Sequence, residues 1–190
     1  MRRIALALAL VALHFSAGIA LAQQDVKERS DAARAAALDI GATLVGELQK
    51  GLAAGGPINA IGVCNFEAPK IAVAKATEKK MTIARTSLKL RQANNKPDAW
   101  ELAQLQSFEQ RKAAGENPMT IEFGEYTDMG GKRVFRFMKA IATGEVCLNC
   151  HGSDVRPEVL AKIKELYPQD VATGFKMGDL RGAFTIVQTP

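Results

Sequence analysis

The run CLNCH at 147–151 constrains this chain more than any other stretch. Two cysteines three apart lie on one side of a helical turn, and the histidine that follows them extends the same edge. The pattern is open to four readings: covalent haem attachment, with thioethers from Cys147 and Cys150 and His151 as proximal iron ligand; a redox dithiol; a zinc clip completed by Cys64; or coincidence. A dithiol usually sits where a strand enters a helix, and Thr143-Gly144 just upstream suggests a turn instead. A zinc clip would need Cys64 from far upstream.

Cysteine arithmetic bears on the choice once the compartment is read. Arg2 and Arg3 precede an apolar run at 4–13, and Ala20-Leu21-Ala22 supplies the small residues of a cleavage site. Residues 1–22 are expected to be a secretory leader, with 23–190 a single periplasmic domain and no stable membrane insertion after cleavage. Of 190 residues the removal of 22 leaves 168, enough for one core. Cys64, Cys147 and Cys150 remain, an odd number for an oxidising compartment. Thioethers on Cys147 and Cys150 would take two of them out of the thiol pool.

The formal charge of +5 falls to +3 when Arg2 and Arg3 leave. The remaining basic residues are scattered, without the blocks that track a phosphate backbone, so nucleic acid is not an expected partner. His14 leaves with the leader, so His151 is the single histidine of the mature chain. Ligation of an iron by two histidines of one chain is excluded. The sixth position is open to Cys64, a methionine, a lysine, the new N-terminus or water. Met177, in GFKMGD, is the one methionine after the motif. The motif stands too late for a small electron-transfer cytochrome, and too much chain follows it for a four-helix one.

Periodicity predicts an α+β fold. A long helix spans 25–54 and stops at Gly55-Gly56. Leu44, Leu48 and Leu52 are expected to pack, and 25–34 to project into solvent. Pro57 opens a short helix through Cys64, and Glu67-Ala68-Pro69 opens another to about Lys79. A strand is expected at 81–91, a helix from Asn95-Lys96-Pro97-Asp98 to Gly115, and a hairpin of 120–127 with 132–141 across Asp128-Met129-Gly130-Gly131. A helix opened by Pro157 and a strand at 182–188 finish the chain. Trp100 and Phe108 are core candidates. Arg85, Lys89, Arg133, Arg136, Arg156 and Arg181 are candidates for pairing with haem propionates, Arg136 among the cofactor contacts.

Taken together, the segments AIGVCNFEAPKIA, RTSLKLRQANNKPDAWE, FRFMKAI, CLNCHG and YPQDVATGFKMGDLRGAFTI resemble a c-type haem family of cyanobacteria and proteobacteria with a PAS-like sensor fold, long catalogued as a domain of unknown function. The likeness runs from about residue 36 to 189. It implies a PAS-like antiparallel sheet flanked by helices, one haem c per chain, and axial ligation by His151 and by Cys64, with Met177 the alternative. It also implies a redox or small-gas sensor (NO, CO or O2 after reduction), or a low-potential electron carrier. The segments include no output domain, so signalling would need a partner protein. No enzymatic activity is expected, since a peroxidase would need a distal histidine to manage protons.

Overall fold

The computed structural model describes the backbone of residues 2–189 and the side chains of residues 22–189, so of the leader expected at 1–22 only the last alanine has its side chain among those described. Helix α1 (Arg2–Gly62) is broken at Gly55 and Gly56, whose backbone is not helical, and resumes at Pro57. The expected stop and restart are both present. A π turn (Val63–Glu67) comes next, running on into α2 (Ala68–Lys79). The π turn has a local cause. Pro69 has no N–H for the Asn65 carbonyl four residues back and its ring crowds that carbonyl, so the helix widens, and the Ala68 N–H reaches the Val63 oxygen instead. What reads as two helices in the sequence is one helix with a swollen turn, and Cys64 stands in the swelling.

Strand β1 (Thr82–Thr86) is shorter than expected. After Thr86 the chain leaves the sheet, passes through a 3-10 turn (Ala93–Asn95) and enters α3 (Ala99–Ala113). Asp98 caps α3 in a full capping box with Glu101. The hairpin of β2 (Glu122–Asp128) and β3 (Arg133–Ala142) is close to its expected bounds. Helix α4 (Glu145–His151) carries the whole CLNCH run, α5 (Pro157–Leu166) starts at its proline, and β4 (Leu180–Gln188) closes the chain. All pairings are antiparallel in the order β1-β4-β3-β2. The α+β class, with a long N-terminal helix against an antiparallel sheet, is the one the sequence predicts. Among the described residues no helix is long and apolar enough to cross a membrane.

The sheet is covered on both faces. Phe135, Phe137, Phe184, Ile186 and Ile83 face Ala33, Ala36, Ala37 and Ile40 of α1. Their alternating neighbours Met138, Ala140 and Ala183 face Leu105 and Phe108 of α3. The expected burial along α1 is corrected by this packing. The segment at 25–40 is the part that lies on the sheet, while Leu44 is only partly buried against that core. Alanines make the reason plain, because their small side chains let a helix backbone settle close to the large phenylalanines. Polar groups in the same stretch are also spent on the sheet: the Gln188 amide donates to the Arg29 carbonyl (2.8 Å), and Arg29 to the Thr189 carbonyl (3.2 Å).

A third cluster lies off the sheet. Val159, Ile163 and Tyr167 of α5 and its C-terminal cap pack on Ile61, with Cys150 at its margin. This contact brings the segment just before the π turn onto the end of α4.

Candidate functional site

Helix α4 follows β3 across only Thr143 and Gly144, with Gly144 as N-cap. A strand therefore does run into the helix that carries the two cysteines, and the turn at Thr143-Gly144 is no ground against a dithiol. The environment of Cys150 argues the other way: burial pushes its thiol up, where a reactive thiol needs a lowered value. All three cysteines are free.

His151 ends α4 and is clasped by the segment at 170–175. Its carbonyl accepts from the Phe175 N–H (2.9 Å), the next carbonyl, of Gly152, accepts from Gly174 N–H (2.9 Å), and Phe175 lies edge-on to the imidazole with centroids 6.2 Å apart. Imidazole Nδ1 lies 2.7 Å from the Ala172 carbonyl oxygen. An oxygen can only accept, so Nδ1 carries the proton and Nε2 is the acceptor nitrogen of the ring. The Arg181 Nε also approaches Nδ1 at 3.2 Å and Nε2 at 3.4 Å, and Arg91 Nη1 approaches Nε2 at 3.4 Å. The shorter Ala172 contact decides the tautomer. Burial, with Arg181 and Arg91 alongside, pushes the imidazole pKa down to about 2, so the ring is neutral.

Cys64 joins this group from the helical side. The residue as a whole is exposed, while burial of its thiol pushes the pKa up, against the pull of Arg85, Arg91 and Arg181. Cys147 and Cys150 are both within its electrostatic reach. Asn65, its neighbour in the π turn, bonds to the Tyr167 side chain. The structure thus gathers Cys64, Cys147, Cys150 and His151 at one place from two elements, the π turn and α4. They do not converge on a point, since among the described residues no three His, Cys, Asp or Glu side chains are disposed to hold a single metal ion. That disposition is poor for a zinc clip.

The arginines give the site its charge. Arg91 pairs with Asp170 at 3.0 Å. Arg181 donates to Ser87 Oγ (3.2 Å) and to the Lys89 carbonyl (3.2 Å), and no carboxylate among the described residues pairs with it; burial and the neighbouring guanidiniums bring its pKa to about 10. Burial also lowers Arg85, whose titratable neighbours among the described residues are Cys64 and Tyr167 rather than a carboxylate. Lys89 Nζ reaches the Thr173 carbonyl (3.2 Å) and lies 5.1 Å from the centre of the Phe175 ring.

Other expected contacts are elsewhere. Arg136 is held at the start of α3 by Asp98 (2.7 Å) and Glu101 (3.4 Å), 4.2 Å over the Trp100 ring, on the sheet face away from α1. Its expected propionate role is corrected accordingly, because the β3 alternation aims it at α3. Arg133 lies over Tyr126 and Arg156 pairs with Glu158. Met177 is 62 % exposed, in a turn closed by the Lys176 N–H to the Asp179 carboxylate (2.8 Å). Sequence reasoning passed over Arg91, Asp170 and Ala172. The available signal was their presence inside two of the resembling segments, RTSLKLRQANN and YPQDVATGF.

A family model described as Tll0287-like matches residues 16–189. Among solved structures, the crystal structure of the cyanobacterial heme-protein Tll0287 is similar, with a TM-score of 0.53 and 28% identity, covering 65% of this chain and 70% of that one. A comparison with curated proteins returned no match. Since the family model spans the sheet, the π turn and the CLNCH helix alike, the chain belongs to the Tll0287-like family.

Proposed function

We propose that this chain binds haem as an exported, periplasmic monohaem c-type cytochrome, and that it senses redox state or a small gas through iron ligated by His151 and Cys64. The observation that carries the reading is the gathering of Cys64 with Cys147, Cys150 and His151, in a family whose solved relative is a heme-protein. The residues fit the group. Cys147 and Cys150 lie on one helix at the spacing thioethers need, His151 carries its proton on Nδ1 and so has its lone pair on Nε2, and Arg85 and Arg181 supply two cations for two propionates, with no carboxylate partner among the described residues.

Haem supplies an iron that changes by one electron and can take a diatomic gas. The chain's own residues set its potential and decide whether a ligand leaves. A Cys64 thiolate stabilises the ferric state and pulls the potential below that of a Met/His site. A reduced iron would hold the sulfur less firmly, and burial, which already favours the neutral thiol, would help Cys64 take a proton from solvent and withdraw. The π turn gives this ligand an irregular, adjustable stretch of backbone. A ligand that leaves on reduction suits a sensor of NO, CO or O2, with a signalling protein as partner. The second reading, a low-potential electron carrier with a redox partner, would require both ligands to stay. Neither reading includes enzymatic turnover or nucleic acid.

Intact mass spectrometry of exported protein, with absorption and EPR spectra in both oxidation states, tests the proposal. The expected result is chain 23–190 plus one haem that resists acid-acetone, with a low-spin thiolate signature when ferric. Extractable haem, or zinc in its place, ends it.

A further inference from the structure

Arg91 and Asp170 form the most enclosed ion pair of the molecule's described residues, with side chains only 10% and 6% exposed. A buried pair is weak evidence for stability, because desolvation of both charges offsets their attraction. What this pair touches gives it another role. Arg91 Nη2 donates to the carbonyl of Cys150 (2.7 Å) and to that of Ala172 (3.3 Å), and its Nε donates to Asp170 Oδ1 (3.0 Å). Asp170 Oδ1 in turn accepts from the Ala172 N–H (3.1 Å), and the Val171 N–H is tied to the Leu90 carbonyl (2.9 Å). One guanidinium and one carboxylate therefore clamp the peptide units on both sides of His151's hydrogen bond: Cys150 on the helix that carries the ring, Ala172 on the loop that accepts its proton. Ala172 is fully buried, so no water competes for that carbonyl.

We propose that Arg91 and Asp170 are positioning residues which, through the Ala172 carbonyl, hold the His151 imidazole in the tautomer with its proton on Nδ1 and keep the ring electron-rich. The inference rests on the reading of His151 as an iron ligand and adds the groups that tune it. A hydrogen bond from Nδ1–H to a fixed acceptor raises the ring's basicity, and partners of this kind change metal affinity by about 10–100-fold when removed.

The test uses the matured holoprotein. Asp170→Asn is nearly isosteric but removes the charge that holds Arg91 and weakens the acceptor of the Ala172 N–H. One haem per chain should remain by intact mass, because Cys147 and Cys150 are untouched. The reduction potential should rise, since a looser Nδ1–H contact leaves a poorer donor to ferric iron; a tenfold loss of ferric preference is about 59 mV for one electron. The ferric EPR signal should broaden into more than one ring orientation, and Asp170→Glu, which restores the charge, should move both readouts back towards the parent. Should Asp170→Asn fail to accumulate, Arg91→Lys carries the same expectation, because a lysine cannot reach Asp170, Cys150 and Ala172 together. Variants that hold one haem, melt earlier and keep the parent potential and EPR signal overturn the inference while leaving the proposed haem site intact. A parent protein without covalent haem sinks both.

Discussion

The Arg34 guanidinium of α1 lies across the carboxylate of Glu122 at the start of β2, with Nε 2.8 and 2.9 Å from its two oxygens. Arg34 also donates to Asp31 (2.6 Å), and Lys139 approaches Glu122 from the paired strand (3.5 Å). With Asp25 accepting from the Tyr126 hydroxyl, these contacts fasten the polar start of α1 to the sheet. Arg34→Ala should lower stability by about 1–2 kcal/mol, the range for a hydrogen bond to a charged group reduced for partial exposure. Chemical denaturation checks the loss. The spectrum of the proposed haem site, with which Arg34 shares no hydrogen bond or ion pair among the described residues, should not change.

Asp98 makes stability depend on acid pH. Burial raises its carboxyl, but the Glu101 N–H (2.8 Å) and the Arg136 guanidinium (2.7 Å) outweigh that and hold it below its ordinary value. A carboxyl lowered on folding contributes stability above its unfolded pKa of about 3.9, and that contribution is lost as pH falls through the folded value. Melting temperature followed from about pH 6 to pH 2 should therefore fall less in Asp98→Asn than in the parent. Asn also caps helices, so near neutrality the variant should differ from the parent by well under the ~1 kcal/mol expected of Asp98→Ala.

Gly182 permits the close approach of β4 to the end of β1. Its φ is +154°, and a Cβ there would lie 2.3 Å from the Thr86 carbonyl oxygen and 3.0 Å from Ser87 Cβ. Gly182→Ala should cost roughly 2 kcal/mol or more, as strand backbones cannot yield without breaking pairing. The shift should also reach the site. Ser87 Oγ donates to the Arg181 carbonyl (2.7 Å), so moving these strands apart displaces Arg181 from His151. Denaturation and the ferric spectrum measured on the same samples check both parts.

The residues that advertise themselves by local chemistry were legible. The Asp98 capping box, the Pro157 helix start, the Gly130-Gly131 hairpin turn and the CLNCH helix all depend on neighbours within a few positions. The rest was set by distant partners. Alternation carries the 81–91 strand past Thr86, but there Ser87 turns to Arg181, so the chain leaves the sheet and becomes the strap that carries Arg91. Arg91 acts on groups 59 to 81 positions away, which no periodicity reveals. Along α1, leucines drew attention where alanines did the packing. The π turn was readable in principle, since Pro69 deprives the Asn65 carbonyl of its helical donor.

Cys64 is the remaining test of what faces His151. It stands in the π turn with Cys147, Cys150 and three arginines around it, and it is the cysteine left over once thioethers are assigned. Cys64→Ser removes a soft anionic donor with little change of volume. Ferric haem should become high-spin or acquire a neutral ligand, and the potential should rise because no thiolate charge favours iron(III). Attachment should persist, with intact mass still showing one haem. Pro69→Ala, which restores an N–H to the Asn65 carbonyl and allows the swollen turn to close, should weaken the same ligation without removing the thiol. A parent-like spectrum and potential in Cys64→Ser would make Cys64 an ordinary structural thiol. Met177 would then be the next residue to replace, and the electron-carrier reading would displace the sensor.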